Sequence, residues 1–147
     1  MPTQGNQLQV SNNGKYEPDR RMVISTAWIF VTVNYLFVNV LKLLGGVVPT
    51  TAEEMELVQS AATPEMLLIA AIYLEMGMVM ILLSRLLKYG INRWANIVIA
   101  TLHALGALAS LFVVTPPTFH VFFVVAEVSA LLFIVWYAWT WVKSQNE

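Results

Sequence analysis

Three basic residues close together, Arg85, Lys88 and Arg93, separate two long apolar runs. Few folds accommodate that pattern. A basic hairpin between two membrane-length apolar runs marks the cytoplasmic side of a bilayer, so both flanking runs are expected to cross lipid. The remaining basic residues agree. Lys15, Arg20 and Arg21 precede the first apolar run, Lys143 follows the last, and only Lys42 falls elsewhere. Four spans with both termini cytoplasmic satisfy that distribution, whereas three or five would not. Arg20, Arg21, Arg85, Lys88 and Arg93 are therefore read as the topology determinants of a multi-pass protein of the cytoplasmic (inner) membrane.

The expected fold is all-α, a four-helix transmembrane bundle running up-down-up-down. The spans are placed at about 22–44, 65–84, 93–114 and 118–142, after a polar tail at 1–21 and before a polar end at 144–147. A hydrocarbon core of ~30 Å needs ~20 residues at ~1.5 Å each, and helices rather than a barrel follow from these lengths. Gly45 and Gly46 close the first span. Thr50 or Thr51, with Glu53 or Glu54 three residues on, predicts a short interfacial helix before the second. Thr63, Pro64 and Glu65 supply a cap, a first-turn proline and an acid at the positive helix end. Gly90 is expected to close the basic hairpin and Asn92 to cap the third span. Short connections make spans 2 and 3, and spans 3 and 4, neighbours in a bundle.

Composition removes several function classes. Of 147 residues, 58% are hydrophobic and 12% charged, with a net charge of -1. That balance gives no broad attraction to nucleic acid. The absence of cysteine excludes disulfides, thiolate metal sites and thiol nucleophiles. No phosphate loop, nucleotide fingerprint or nucleophile motif is present. Glu75, Glu127 and His103 are metal-ligating types, but no Glu-x-x-His pair accompanies them. No metal and no cofactor is expected.

The polar residues inside the spans are the candidate site. Asn34 lies ~18 Å and His103 ~15 Å from the inner side, while Glu75 lies ~15 Å and Glu127 ~14 Å from the outer side. One such residue per helix falls near the midplane. Asn39, Lys42 and His120 form a second polar group near the outer rim. Helical spacing puts Asn96, Ile99, His103, Gly106 and Ser110 on one face of span 3, with Gly106 and Ser110 favouring close helix contact. It puts Ala71, Glu75, Met78 and Leu82 on one face of span 2. An unpaired carboxylate at this depth is costly, so each acid is expected either to carry its proton or to find a partner.

Two readings of these groups compete. In one, they only hydrogen-bond across helices and set register in a non-enzymatic protein that presents surfaces to itself or to a membrane-protein partner. In the other, Asn34, Glu75, His103 and Glu127 bind or carry a small ligand or protons. An enzyme acting on a lipid or quinone is a third reading, by analogy of layout alone.

The segments 25–43, STAWIFVTVNYLFVNVLKL, and 74–97, LEMGMVMILLSRLLKYGINRWANI, carry Trp28, Phe30, Asn34, Tyr35, Glu75, Ser84, Arg85, Asn92, Arg93, Trp94 and Asn96. On these residues the chain resembles a family of small four-span bacterial membrane proteins catalogued as a domain of unknown function. Its general layout is similar to that of DoxX-like proteins. The resemblance implies the four-span bundle and supplies no activity. It also implies an acid at the position of Asn39, where this chain departs from the pattern.

Overall fold

The computed structural model describes residues 19–45, 49, 51–112 and 116–141. The polar tail through residue 18, Gly46, the expected span ends at 114 and 142, and the polar end at 144–147 lie outside these residues. The described residues form α1 (Arg20–Leu44), α2 (Ala52–Ala61), α3 (Pro64–Leu86), α4 (Tyr89–Ala109, continued by a 3-10 turn at Ser110–Phe112) and α5 (Thr118–Trp139). No strand occurs among them. Four of the helices are long and apolar enough to cross a membrane. The chain is a multi-pass membrane protein built as a helical bundle.

Local chemistry sets most helix starts. The Asp19 side chain accepts from the Arg21 backbone N–H at 3.0 Å and begins α1. Thr51 accepts from Glu54 N–H at 3.1 Å and begins α2, and Thr63 accepts from Met66 N–H at 3.4 Å with Pro64 in the first turn of α3. Each satisfies one of the donors that a helix start leaves unpaired. α4 differs from expectation. It begins at Tyr89, so Gly90 lies inside its first turn, and Asn92 is buried within the helix instead of capping it. The Asn92 amide donates to the Ser84 carbonyl at 2.6 Å. Ser84 is in the last turn of α3, where a carbonyl lacks an intrahelical partner. A cross-helix bond that satisfies this buried group outweighs an exposed cap.

The four long helices form a ring in which α1 packs on α3 and α5, and α4 on α5 and α3. Ile24, Trp28, Val31, Met80, Ala100, Leu131 and Ile134 fill the core. One end of the ring is closed by arginines bound to helix carboxyl ends. Arg20 donates to the Tyr137 carbonyl at 3.2 Å and lies over the Tyr137 ring. Arg93 donates to the Trp139 carbonyl at 3.0 Å and lies over the Trp139 ring. Arg21 donates to the Arg85 carbonyl at 3.5 Å. The Arg85 side chain in turn donates to Ser25 Oγ at 2.9 Å, and the Tyr89 hydroxyl to the Trp141 carbonyl at 2.6 Å. Cations suit the negative ends of helices, whose last carbonyls are unpaired. Arg20, Arg21, Arg85 and Arg93 thus gather at one end of the bundle. Lys88 is exposed beside them.

Candidate functional site

Above the arginine-bound end, the bundle interior is closed by an amide network. Asn96 Oδ1 accepts from Trp28 Nε1 at 2.7 Å and from Ser84 Oγ at 3.1 Å. Its Nδ2 donates to the Asn92 carbonyl at 2.8 Å and to Asn92 Oδ1 at 2.6 Å. Trp28, Ser84, Asn92 and Asn96 are all fully buried. Each polar atom named here has a partner, as a water-free interior requires. The network joins α1, α3 and α4.

The next layer is aromatic. The Trp28 ring meets His103 edge-on at 5.4 Å, and Tyr73 stacks on His103 at 4.2 Å. The Tyr73 hydroxyl donates to the His103 carbonyl at 2.9 Å. The Tyr35 hydroxyl lies 3.0 Å from the Tyr73 hydroxyl and 3.2 Å from His103 Nδ1. Two glycines permit this layer. A Cβ at Gly77 would stand 3.1 Å from His103 Cε1, and one at Gly106 would collide with the Tyr73 hydroxyl. The small residue on α4 therefore seats a tyrosine of α3.

Counting hydrogens fixes part of the protonation pattern. A carbonyl only accepts, so the single Tyr73 hydrogen is committed to His103. The Tyr35 hydrogen has two claimants within bonding distance, the Tyr73 oxygen and His103 Nδ1. If it goes to Tyr73, Nδ1–H donates to Tyr35 and Nε2 is a bare acceptor; if it goes to Nδ1, Nε2 carries the imidazole hydrogen. Nε2 is buried without a hydrogen-bond partner, beside Gly77.

Beyond this layer the helices part around a cavity of about 220 Å³. Its polar walls are Tyr35, Asn39 and Lys42 from α1, Tyr73 from α3, Ser110 after α4, and His120 and Glu127 from α5. His120 Nε2 is 3.1 Å from Ser110 Oγ. Glu127 is only 2% exposed, and its Oε1 has no hydrogen-bond partner. A buried acceptor at a cavity wall, opposite a lysine and beside a histidine, can receive a hydrogen bond from a molecule held there.

The expected site residues are distributed unevenly. Glu127 and the rim residues Asn39, Lys42 and His120, expected as two groups, line one cavity. His103 adjoins it through Tyr35. Asn34 is buried, and its amide donates to the Phe30 carbonyl of its own helix at 2.8 Å. Glu75 stands apart. It is exposed on the outer face of α3 among Ala71, Ile72, Met76 and Val79, away from both His103 and Glu127. The heptad face it shares with Ala71, Met78 and Leu82 is the one turned outward, because Tyr73, Gly77, Met80 and Ser84 occupy the inward side of that helix. Tyr73 was not legible as a site residue, lying inside a continuous apolar run. Its one signal was Gly106, a gap on a facing helix that an aromatic ring can fill. Among the described residues no cluster of three or more His, Asp or Glu could hold a metal ion.

No curated protein and no solved structure matches the chain. A family model matches residues 13–147, and the chain belongs to that family, the family of unknown function DUF6326.

Proposed function

We propose that this is a non-enzymatic four-span protein that holds a small polar molecule in the cavity between Tyr35, Lys42, His120 and Glu127. The observation that carries the reading is the unpartnered Glu127 Oε1 on a buried side chain at the cavity wall. A buried acceptor without a donor is costly, and more so where lipid excludes water. A bound molecule with a hydroxyl or amine would satisfy it, while Lys42 would favour an acidic or carbonyl group at the other end. A volume of about 220 Å³ matches roughly seven waters of liquid, so the molecule is small.

The orientation belongs to the same proposal. Arg20, Arg21, Arg85, Lys88 and Arg93 at one end favour placing both termini in the cytoplasm, with the cavity toward the outer side of the inner membrane. The similarity of layout to DoxX-like proteins is compatible with this arrangement and adds no chemistry. A second reading, proton handling, is favoured by the Tyr35 hydroxyl, which bonds both Tyr73 and His103 Nδ1 and lines the same cavity as Glu127. A hydrogen on Tyr35 can serve either neighbour, so a proton can pass along that row of groups.

Native mass spectrometry of protein released gently from membranes tests the binding reading. A non-lipid mass should be retained by the wild type and lost from Glu127→Leu. A wild type that carries no such mass, and whose thermal stability responds to none of a panel of small amino, hydroxy and carboxylic compounds, would rule the binding reading out.

A further inference from the structure

The outer face of α3 is unlike any other surface of the bundle. Leu68, Ala71, Glu75, Met78 and Leu82 follow a 3-4-3-4 spacing, and all five are exposed, Leu68 at 61% and Leu82 at 64%. Of the four long helices, α3 is the least covered by the rest of the chain. Among the described residues Glu75 is the only ionisable side chain exposed in the middle of a span, and it makes no hydrogen bond. The exposed hydroxyls of α4 and α5 differ in this respect. Thr101 donates to the Ile97 carbonyl at 2.7 Å and Ser129 to the Val125 carbonyl at 2.7 Å, so their own helices satisfy them.

We infer that this face is the contact surface for a second copy of the chain, with α3 against α3 and the two Glu75 carboxyls bonded to each other. Three observations converge on a copy rather than on lipid or an unlike partner. A 3-4 spacing is the seam of a left-handed helix pair, and one polar residue within an apolar seam sets register and number of strands. Copies in one bilayer share an orientation, so a two-fold axis runs along the membrane normal and every seam residue meets its own counterpart at the same depth. That symmetry gives Glu75 a hydrogen-bonding partner that lipid does not supply. Two carboxyls brought together can hydrogen-bond to each other. Ala71, one turn away, lets the backbones approach. The only lysine within a described span, Lys42, sits near the far end of α1 and lines the cavity, so it does not meet Glu75 from a second copy at this depth. This inference is independent of what occupies the cavity.

The chain lacks cysteine, so single cysteines report without background. In native membranes, oxidative cross-linking should join copies carrying Leu68→Cys, Ala71→Cys, Met78→Cys or Leu82→Cys. Yields should be at least fivefold above those of the outward controls Ile69→Cys, Leu105→Cys and Val125→Cys. In the Leu82→Cys background, Glu75→Gln should keep the yield within twofold, because amides also pair. Glu75→Leu should lower it at least threefold, because apolar side chains gain little over lipid. Equal yields at seam and control positions would overturn the inference. So would an undiminished yield in Glu75→Leu, or cross-links from the seam only to cysteines placed at Thr101 or Ser129 of another copy.

Discussion

Gly106→Ala tests how the aromatic layer is held. A Cβ at this position would collide with the Tyr73 hydroxyl and lie 2.8 Å from Tyr73 Cζ and 3.0 Å from Cε2. The ring cannot yield by rotating its tip, because three of its atoms are within contact and its hydroxyl is bonded to the His103 carbonyl. Tyr73 would have to leave the layer. That forfeits the bond to His103, the contact with Tyr35 and the stack on the imidazole. Overpacking costs about 1–3 kcal/mol, and each lost interhelical hydrogen bond about 0.6 kcal/mol in a membrane, so the expected loss is about 2–4 kcal/mol. Tyr73→Ala removes the obstruction. In that background the same Gly106→Ala change should stabilise by about 0.5–1 kcal/mol, because alanine is the better helix former. The assay is reversible unfolding in mixed micelles with rising denaturing detergent, followed by tryptophan fluorescence. A reversal of sign between the two backgrounds is the signature of direct contact. An equal destabilisation in both would refute the packing argument.

Asn96→Ala should destabilise by about 2 kcal/mol, since it strands the buried Trp28 N–H and the Ser84 hydroxyl. Asn34→Ala, which breaks only a bond within α1, should cost under ~1 kcal/mol in the same assay. Comparable losses for the two would mean that the amide network does not hold the bundle. Neutralising Arg85, Lys88 and Arg93 together should randomise orientation, read by reporter tags at the two ends of α3. Unchanged tag positions would contradict the orientation proposed above. Arg20→Ala should fray the end of α5, where it binds the Tyr137 carbonyl, seen as faster amide exchange at residues 138–141. Exchange that stays slow there would mean the arginine is not needed to hold that end.

The span count was legible because it depends on run length and on the placement of arginine and lysine, both local properties of the sequence. Gly106 lies on the side of α4 that meets Tyr73, and Asn39, Lys42, Ser110 and His120 line one cavity together with Glu127. What the sequence did not reveal was rotation. A position along a span does not say which way a side chain turns, as Asn34 and Glu75 illustrate. α3 is apolar on every side, so its periodicity could not distinguish inward from outward. Facing partners decide that rotation: Gly106 for Tyr73, and His103 with Trp28 for Gly77. Asn92 was misread for a related reason. Its place after a hairpin resembles a cap, and only the position of the Ser84 carbonyl across the hairpin shows what its amide binds.

The central claim is that His103 answers to Tyr35 and the cavity, and not to Glu75. The chain has 2 histidines, so nitrogen-15 NMR of histidine-labelled protein in lipid resolves both. The expected result is a shift of the His103 Nδ1 resonance in Tyr35→Phe, with both histidines unmoved in Glu75→Gln. A His103 resonance that moves with Glu75 and ignores Tyr35 would contradict it.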